Sequence, residues 1–181
     1  MKRPIKLITE TPRLILREFA LDDAKSMWEL NSDPEVIKYT GDPPFASVEK
    51  AREFLLNYKD YEKNGFGRWA VITKASNSFI GWCGLKLNEQ NLVDIGFRFF
   101  RKEWNKGYAT EAAHACLEYG FLELDLKEII GRVARQNKAS IKVLEKLSMD
   151  YWKNDSCKGI EDSLYYRITK EQYLQKVIKS N

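Results

Sequence analysis

The chain has 181 residues, 44% of them hydrophobic and 31% charged, with 30 Lys and Arg against 26 Asp and Glu. That length and balance predict one soluble domain with a sizeable core. A net charge of only +4, with acidic and basic residues interleaved, argues against a nucleic-acid binder, and no apolar run approaches the roughly 18–20 residues of a membrane span. Cys83, Cys116 and Cys157 are odd in number and share no metal or redox spacing, and residues 1–9 hold no apolar leader segment. The expectation is a cytoplasmic protein with reduced thiols, no bound metal and no membrane partner.

Residues 13–19 alternate behind Pro12, with Leu14, Leu16 and Glu18 on one face, and predict a strand. Leu21-Asp22-Asp23 signals the start of a helix through Met27, Trp28 and Leu30, and Asp33-Pro34 starts a further helical turn. Residues 40–44 (Thr-Gly-Asp-Pro-Pro) read as a loop, and Ser47 opens a helix carrying Phe54, Leu55, Tyr58 and Tyr61 at helical spacing, ended by Gly65 and Gly67. Three strands follow, at 69–73, 79–87 and 92–100, joined by turns at Asn77-Ser78 and Asn88 to Asn91. A helix over 109–124 presents the small residues Ala112, Ala113, Cys116 and Gly120. Residues 129–134 form a buried-strand candidate, 140–147 a short helix, Tyr151 and 164–168 two strands, and 170–179 a charged helical tail. The order is β-α-α-β-β-β-α-β-α-β-β.

The most informative run is Trp104-Asn105-Lys106-Gly107-Tyr108-Ala109-Thr110-Glu111-Ala112, which joins a strand to a helix. A small-residue loop there turns several backbone N–H groups toward one point, at the positive end of a helix dipole, and phosphate fits such a point. An unrelated nucleotide-binding loop would need Lys-Ser or Lys-Thr after the glycine, whereas Lys106 precedes Gly107.

Four segments in order carry a resemblance that covers nearly the whole chain: Thr11-Pro12-Arg13-Leu14-Ile15-Leu16-Arg17, Asp94-Ile95-Gly96-Phe97, Lys106 to Ala112, and Asn137-Lys138-Ala139-Ser140 with Val143 to Leu147. Together they resemble the GNAT superfamily of acetyl-CoA-dependent N-acetyltransferases, and within it the ribosomal-protein N-terminal acetyltransferases. The resemblance implies one α+β (mixed α/β) domain over 1–181. Its central, mostly antiparallel, twisted sheet is splayed between two parallel strands and flanked by helices. It also implies direct acetyl transfer to an amine in a ternary complex, by a monomer or homodimer.

On that basis the backbone of Asn105, Lys106, Gly107, Tyr108, Ala109 and Thr110 is expected to hold the pyrophosphate of acetyl-CoA. The main chain of Phe97, Arg98 and Phe99 is expected to hold its pantetheine arm. Asn137 and Ser140 stand where this branch has cofactor-contacting side chains, although each also reads as part of a helix cap. Ser140 is the candidate acid, because Leu144 stands where many relatives carry a tyrosine. Asp94 is the candidate base, against an outward strand carboxylate or a water chain; Trp28 and Tyr39 frame the acceptor site. The acidic residues Asp42, Asp155, Glu161 and Asp162 hint at a cationic acceptor. Asn105 and Ser148 replace glycines of the pattern. His114 and the cysteines read as structural. A non-catalytic CoA-binding module is the alternative from another class.

Overall fold

The structure, a computed structural model, describes residues 5–157 and 159–180; residues 1–4 and the Cys157 side chain lie outside that part. One eight-stranded sheet runs in the order β1-β2-β3-β4-β5-β6-β8-β7. Its strands are β1 (Leu7–Glu10), β2 (Leu14–Arg17), β3 (Arg68–Thr73), β4 (Ser78–Leu87), β5 (Val93–Phe99), β6 (Glu128–Ala134), β7 (Asp150–Cys157) and β8 (Ile160–Thr169). Every neighbouring pair is antiparallel except β5–β6. The expected mixed α/β domain with one parallel pair is therefore what forms.

Period-two burial divides the sheet. One face carries Leu14, Leu16, Trp69, Val71, Cys83, Leu85, Ile95, Phe99, Ile129 and Val133, buried in a single core. Helix α5 (Tyr108–Leu122) lies across it through Ala112, Ala113, Cys116, Leu117 and Phe121, and α6 (Lys138–Lys146) adds Ile141 and Leu144. Small residues let α5 approach closely: a Cβ on Gly120 would stand 2.8 Å from Ile129 and 2.9 Å from Leu85. The reduced thiols of Cys83 and Cys116 meet at 3.5 Å inside this core.

The opposite face is covered by α1 (Ala24–Ser32) and α3 (Val48–Leu56), which bury Ala24, Met27, Ala51 and Leu55 together with Trp82 of β4. Two short helices, α2 (Pro34–Ile37) and α4 (Asp60–Asn64), continue these elements, and α7 (Lys170–Ser180) closes the described chain. Caps fall where sequence places them: Asp33 accepts from the Glu35 N–H and Ser47 from the Lys50 N–H.

Two elements differ from expectation. Strand β1 was not anticipated, because its four residues sit at an edge and are half-buried or exposed, with little alternation to read. The helix from Ser47 breaks after Leu56 instead of continuing through Tyr58 and Tyr61. The break sends both phenols to the start of β3, where the Arg68 N–H donates to Tyr58 Oη at 2.7 Å and Tyr61 Oη donates to the Arg68 carbonyl. Tertiary hydrogen bonds outweigh helix continuity there.

Strands β3 and β4 approach each other tightly at Gly84, where a Cβ would collide with the Gly67 carbonyl and come within 2.8 Å of the Arg68 Cα. Backbone cannot swing aside as a side chain can. Gly84→Ala should cost about 1–3 kcal/mol of stability in urea denaturation.

Candidate active site

Strands β5 and β6 pair at only two positions, Asp94 with Ile130 and Ile95 with Gly131. Beyond them β5 remains paired with β4 as far as Phe99, and β6 with β8 as far as Ala134, so the two strands diverge. A gap opens in the middle of the sheet. The Phe100 N–H donates to the Ile80 carbonyl, so the alternation of an antiparallel ladder aims the main-chain groups of Arg98 at β4 and those of Phe97 and Phe99 at the gap. A Cβ on Gly81 would strike the Arg98 carbonyl, in agreement with that direction. This corrects the expectation for Arg98, whose backbone is already used. It also narrows the one for Phe99, whose carbonyl accepts from Trp104 Nε1 at 2.9 Å. Phe97 alone presents both its N–H and its C=O.

At the end of β5 the chain makes one 3₁₀ turn, Arg101–Glu103, and enters the loop. Asn105 takes φ 61° and Gly107 φ 80°, both left-handed. Asparagine tolerates that conformation, so the missing glycine at 105 leaves the turn intact. None of the amide N–H groups from Asn105 to Thr110 has an acceptor among the described residues, and no side chain caps α5. The loop therefore offers open N–H donors at a helix N-terminus, a geometry that suits an anion. Lys106 is paired with Glu103 at 2.9 Å.

Arg13, a residue given no site role by the sequence, buttresses this loop. Its Nε donates to Glu111 at 2.6 Å, its Nη1 donates to the Lys106 carbonyl at 2.9 Å, and its guanidinium stacks on Tyr108 at 4.6 Å. Glu111 also accepts from Thr11 Oγ1 at 2.5 Å and from the Arg13 N–H at 3.0 Å. The opening strand motif and the loop motif are thus two halves of one ion pair.

Asn137 is the cap of α6: its Oδ1 accepts from the Ser140 N–H at 3.1 Å. The Ser140 hydroxyl is half-buried and without a partner among the described residues. Leu144 is buried against Gly131 of β6, so an apolar side chain occupies the tyrosine place. Ser148 ends α6 with φ 60°, filling the left-handed position without glycine.

Asp94 does not stand free as a base. It is buried, and its Oδ2 accepts from Arg132 Nε at 3.0 Å and Nη2 at 2.8 Å, with Arg68 Nη2 at 3.7 Å. Burial works against the charge on Arg132, but Asp94 and Glu89 outweigh it and raise the Arg132 pKa. The bridge clips β5 to β6 at their last paired residues. Arg132 was legible as a lone charge in an apolar strand, but the sequence offered no partner for it.

Trp28 packs among the α1–α3 apolar residues, and the Tyr39 ring lies 5.6 Å from the Lys38 ammonium. Asp42, Asp155 and Asp162, read as attractants for a cation, already hold Arg98, Lys153 and Arg135. His114 is exposed on α5, its pKa lowered by partial burial against an opposing pull from Glu118.

Residues 13–150 match the family model described as an acetyltransferase (GNAT) domain. The chain belongs to the GNAT acetyltransferase family. Among curated relatives of this GNAT protein, an uncharacterised N-acetyltransferase, p20 of Bacillus licheniformis, is 38% identical over 141 residues, covering 76% of this chain and 79% of that one. The FsC-acetyl coenzyme A-N(2)-transacetylase of Aspergillus fumigatus is 30% identical over 184 residues, covering 91% and 77%. A solved GNAT acetyltransferase from Bacillus anthracis superposes with a TM-score of 0.77 at 32% identity, covering 92% and 99%. The protein is therefore an acetyltransferase enzyme, and the non-catalytic reading falls away. No helix among the described residues is long and apolar enough to cross a membrane.

Burial raises the Glu111 pKa, but the hydrogen bonds from Thr11 and Arg13 outweigh it and hold it below 4.5. The stability this gives is present above that ordinary value and is lost as pH falls through the lower native one. Glu111→Gln should lower the thermal midpoint at pH 7, and its gap to wild type should close below about pH 4. Melting curves across that range check it.

Proposed function

We propose that this enzyme transfers an acetyl group from acetyl-CoA to a primary amine, either a protein N-terminal α-amine or a small-molecule amine. The observation that carries the reading is the pair of unsatisfied backbone surfaces. The open amides of residues 105–110 suit a pyrophosphate, and the edge of β5 at Phe97 suits a chain that hydrogen-bonds like a strand. Acetyl-CoA has both parts, and its thioester supplies the activated acetyl group. In this reading Asn105, Lys106, Gly107, Tyr108, Ala109 and Thr110 hold the phosphates, and Phe97 with the Phe99 N–H lines the arm. The acetyl-CoA-dependent activity in the name of the Aspergillus relative supports the same donor. The finer likeness to ribosomal-protein N-terminal acetyltransferases supports a protein α-amine among the acceptors.

As the amine nitrogen bonds to the acetyl carbon, the carbon–sulfur bond breaks and the sulfur takes up a proton. In this reading the Phe97 N–H receives the charge that develops on the acetyl oxygen. The acid is the Ser140 hydroxyl, which has no partner among the described residues and stands in the first turn of α6. Water serves as the base, because the Asp94 carboxylate is engaged by Arg132. Asn137 acts on Ser140 through the cap that fixes its backbone.

Thiol release from acetyl-CoA should depend on an added primary amine, tested with peptides, amino acids, polyamines and aminoglycosides. Ser140→Ala should lower kcat by about 10- to 100-fold with little change in the KM for acetyl-CoA. An unchanged kcat at saturating substrate would remove Ser140 from the chemistry, and thiol release with no amine dependence would overturn the proposed reaction.

A further inference from the structure

We propose that the acceptor amine also carries a carboxylate, and that Arg98 receives this carboxylate in the place Asp42 holds in the free enzyme. The inference rests on the acetyltransferase reading above and narrows its substrate. Its basis is the charge built into the sheet face opposite α5, beside the gap.

Three arginines of β3, β5 and β6 lie there, apart from Arg17 of β2, which the buried Asp23 already holds. The side chains of Arg68, Arg98 and Arg132 are 15%, 9% and 16% exposed, and the one carboxylate buried among them is Asp94 at 8%. Their other counter-ions, Asp42 and Glu89, are 61% and 56% exposed. Three buried guanidiniums thus face one buried carboxylate, and the remaining negative charge is solvated and screened.

Arg68 is committed to the carbonyls of Gly84 and Asp94, at 2.5 and 2.8 Å, and Arg132 to Asp94 and Glu89. Arg98 is not. Its Nη1 donates to the Asn31 side-chain oxygen and its Nη2 to Asp42 at 2.7 Å, while its buried Nε has no partner among the described residues. The guanidiniums of Arg68 and Arg98 both lie over the Trp82 ring, 5.4 and 5.2 Å from its centroid. Burial lowers the Arg98 pKa, with Asp42 opposing. A buried cation whose only ionic partner among the described residues is an exposed loop carboxylate can exchange that partner for an incoming one. A planar, two-pronged carboxylate is the group the guanidinium fork binds best.

The position is right for an acceptor. Arg98 follows Phe97, whose main chain faces the gap, and its side chain reaches α1 and the 40–44 loop. That loop turns at Gly41 (φ 69°) and meets the β7–β8 hairpin at Gly159 (φ 77°), where a Cβ would come within 2.8 Å of the Gly41 Cα. The two segments bound the same face. A polyamine entering there meets buried arginines and carboxylates that already hold cations.

The test assays thiol release with 4-aminobutyrate, glutamate and an acidic dipeptide, each beside its amidated counterpart, and with spermidine. Carboxylate acceptors should be preferred to their amides. Arg98→Gln should raise their KM by about 10- to 100-fold and leave the amides unchanged. Arg98→Lys, which keeps the charge, should recover part of the loss and covers the case in which the glutamine variant folds poorly. Asp42→Asn should lower the KM for carboxylate acceptors, because their internal competitor is gone. Calorimetric titration with N-acetylglutamate should likewise give tighter binding to wild type than to Arg98→Gln. Preference for spermidine, or a raised KM for every amine in Asp42→Asn, would overturn the inference and leave the acetyltransferase reading intact. Absence of turnover with any amine would overturn both.

Discussion

The structure depends on the early divergence of two parallel strands. β5 and β6 exchange backbone hydrogen bonds around Asp94 and Ile95 and then part, while each stays paired with its antiparallel neighbour. An unpaired strand edge inside a sheet is ordinarily costly, since its N–H and C=O groups lose water without gaining partners. Here the parting is fixed on the closed side by the Asp94–Arg132 clip and on the open side by Trp104, which consumes the Phe99 carbonyl. What remains is a short length of β5 at Phe97 with unused hydrogen-bonding groups, next to a loop of unused amides. In the proposed reading one elongated, anionic ligand, acetyl-CoA, meets both deficits.

The two faces of the sheet have separate duties. The face under α5 and α6 is a packed apolar core whose small residues bring the helix N-terminus to the end of β5. The other face, beneath α1 and α3, sets arginines beside a smaller apolar cluster. Buried charge on that scale is poor material for stability. Its placement beside the gap makes sense as the recognition chemistry proposed above, with a local sign that the overall +4 of the chain does not convey.

Much of this was legible in the sequence because it rests on local rules. The alternation of Leu14, Leu16 and Glu18, the caps at Asp33 and Ser47, the left-handed Asn105 and Ser148, and the loop at Gly107 each follow from neighbouring residues. What escaped depends on partners distant in the chain. Arg13 and Glu111 are 98 residues apart, and Asp94 and Arg132 are 38 apart. Asp94 looked like a base because its strand position was known and its partner was not. The helix carrying Tyr58 and Tyr61 broke because both phenols serve the Arg68 backbone, which no periodicity can reveal. The parity of the β4–β5 ladder, which separates Phe97 from Arg98, likewise needs the pairing itself.

Calorimetric titration of acetyl-CoA into the wild-type chain and into Gly107→Glu tests the central claim most directly. The left-handed φ of 80° strains any side chain at position 107, a Cβ there would press on Arg13 Nη2 at 3.2 Å, and glutamate adds a negative charge to the proposed phosphate loop. The account predicts saturable one-to-one binding by the wild type and its loss in the folded variant. Undiminished affinity in Gly107→Glu, or no binding by the wild type, would contradict it.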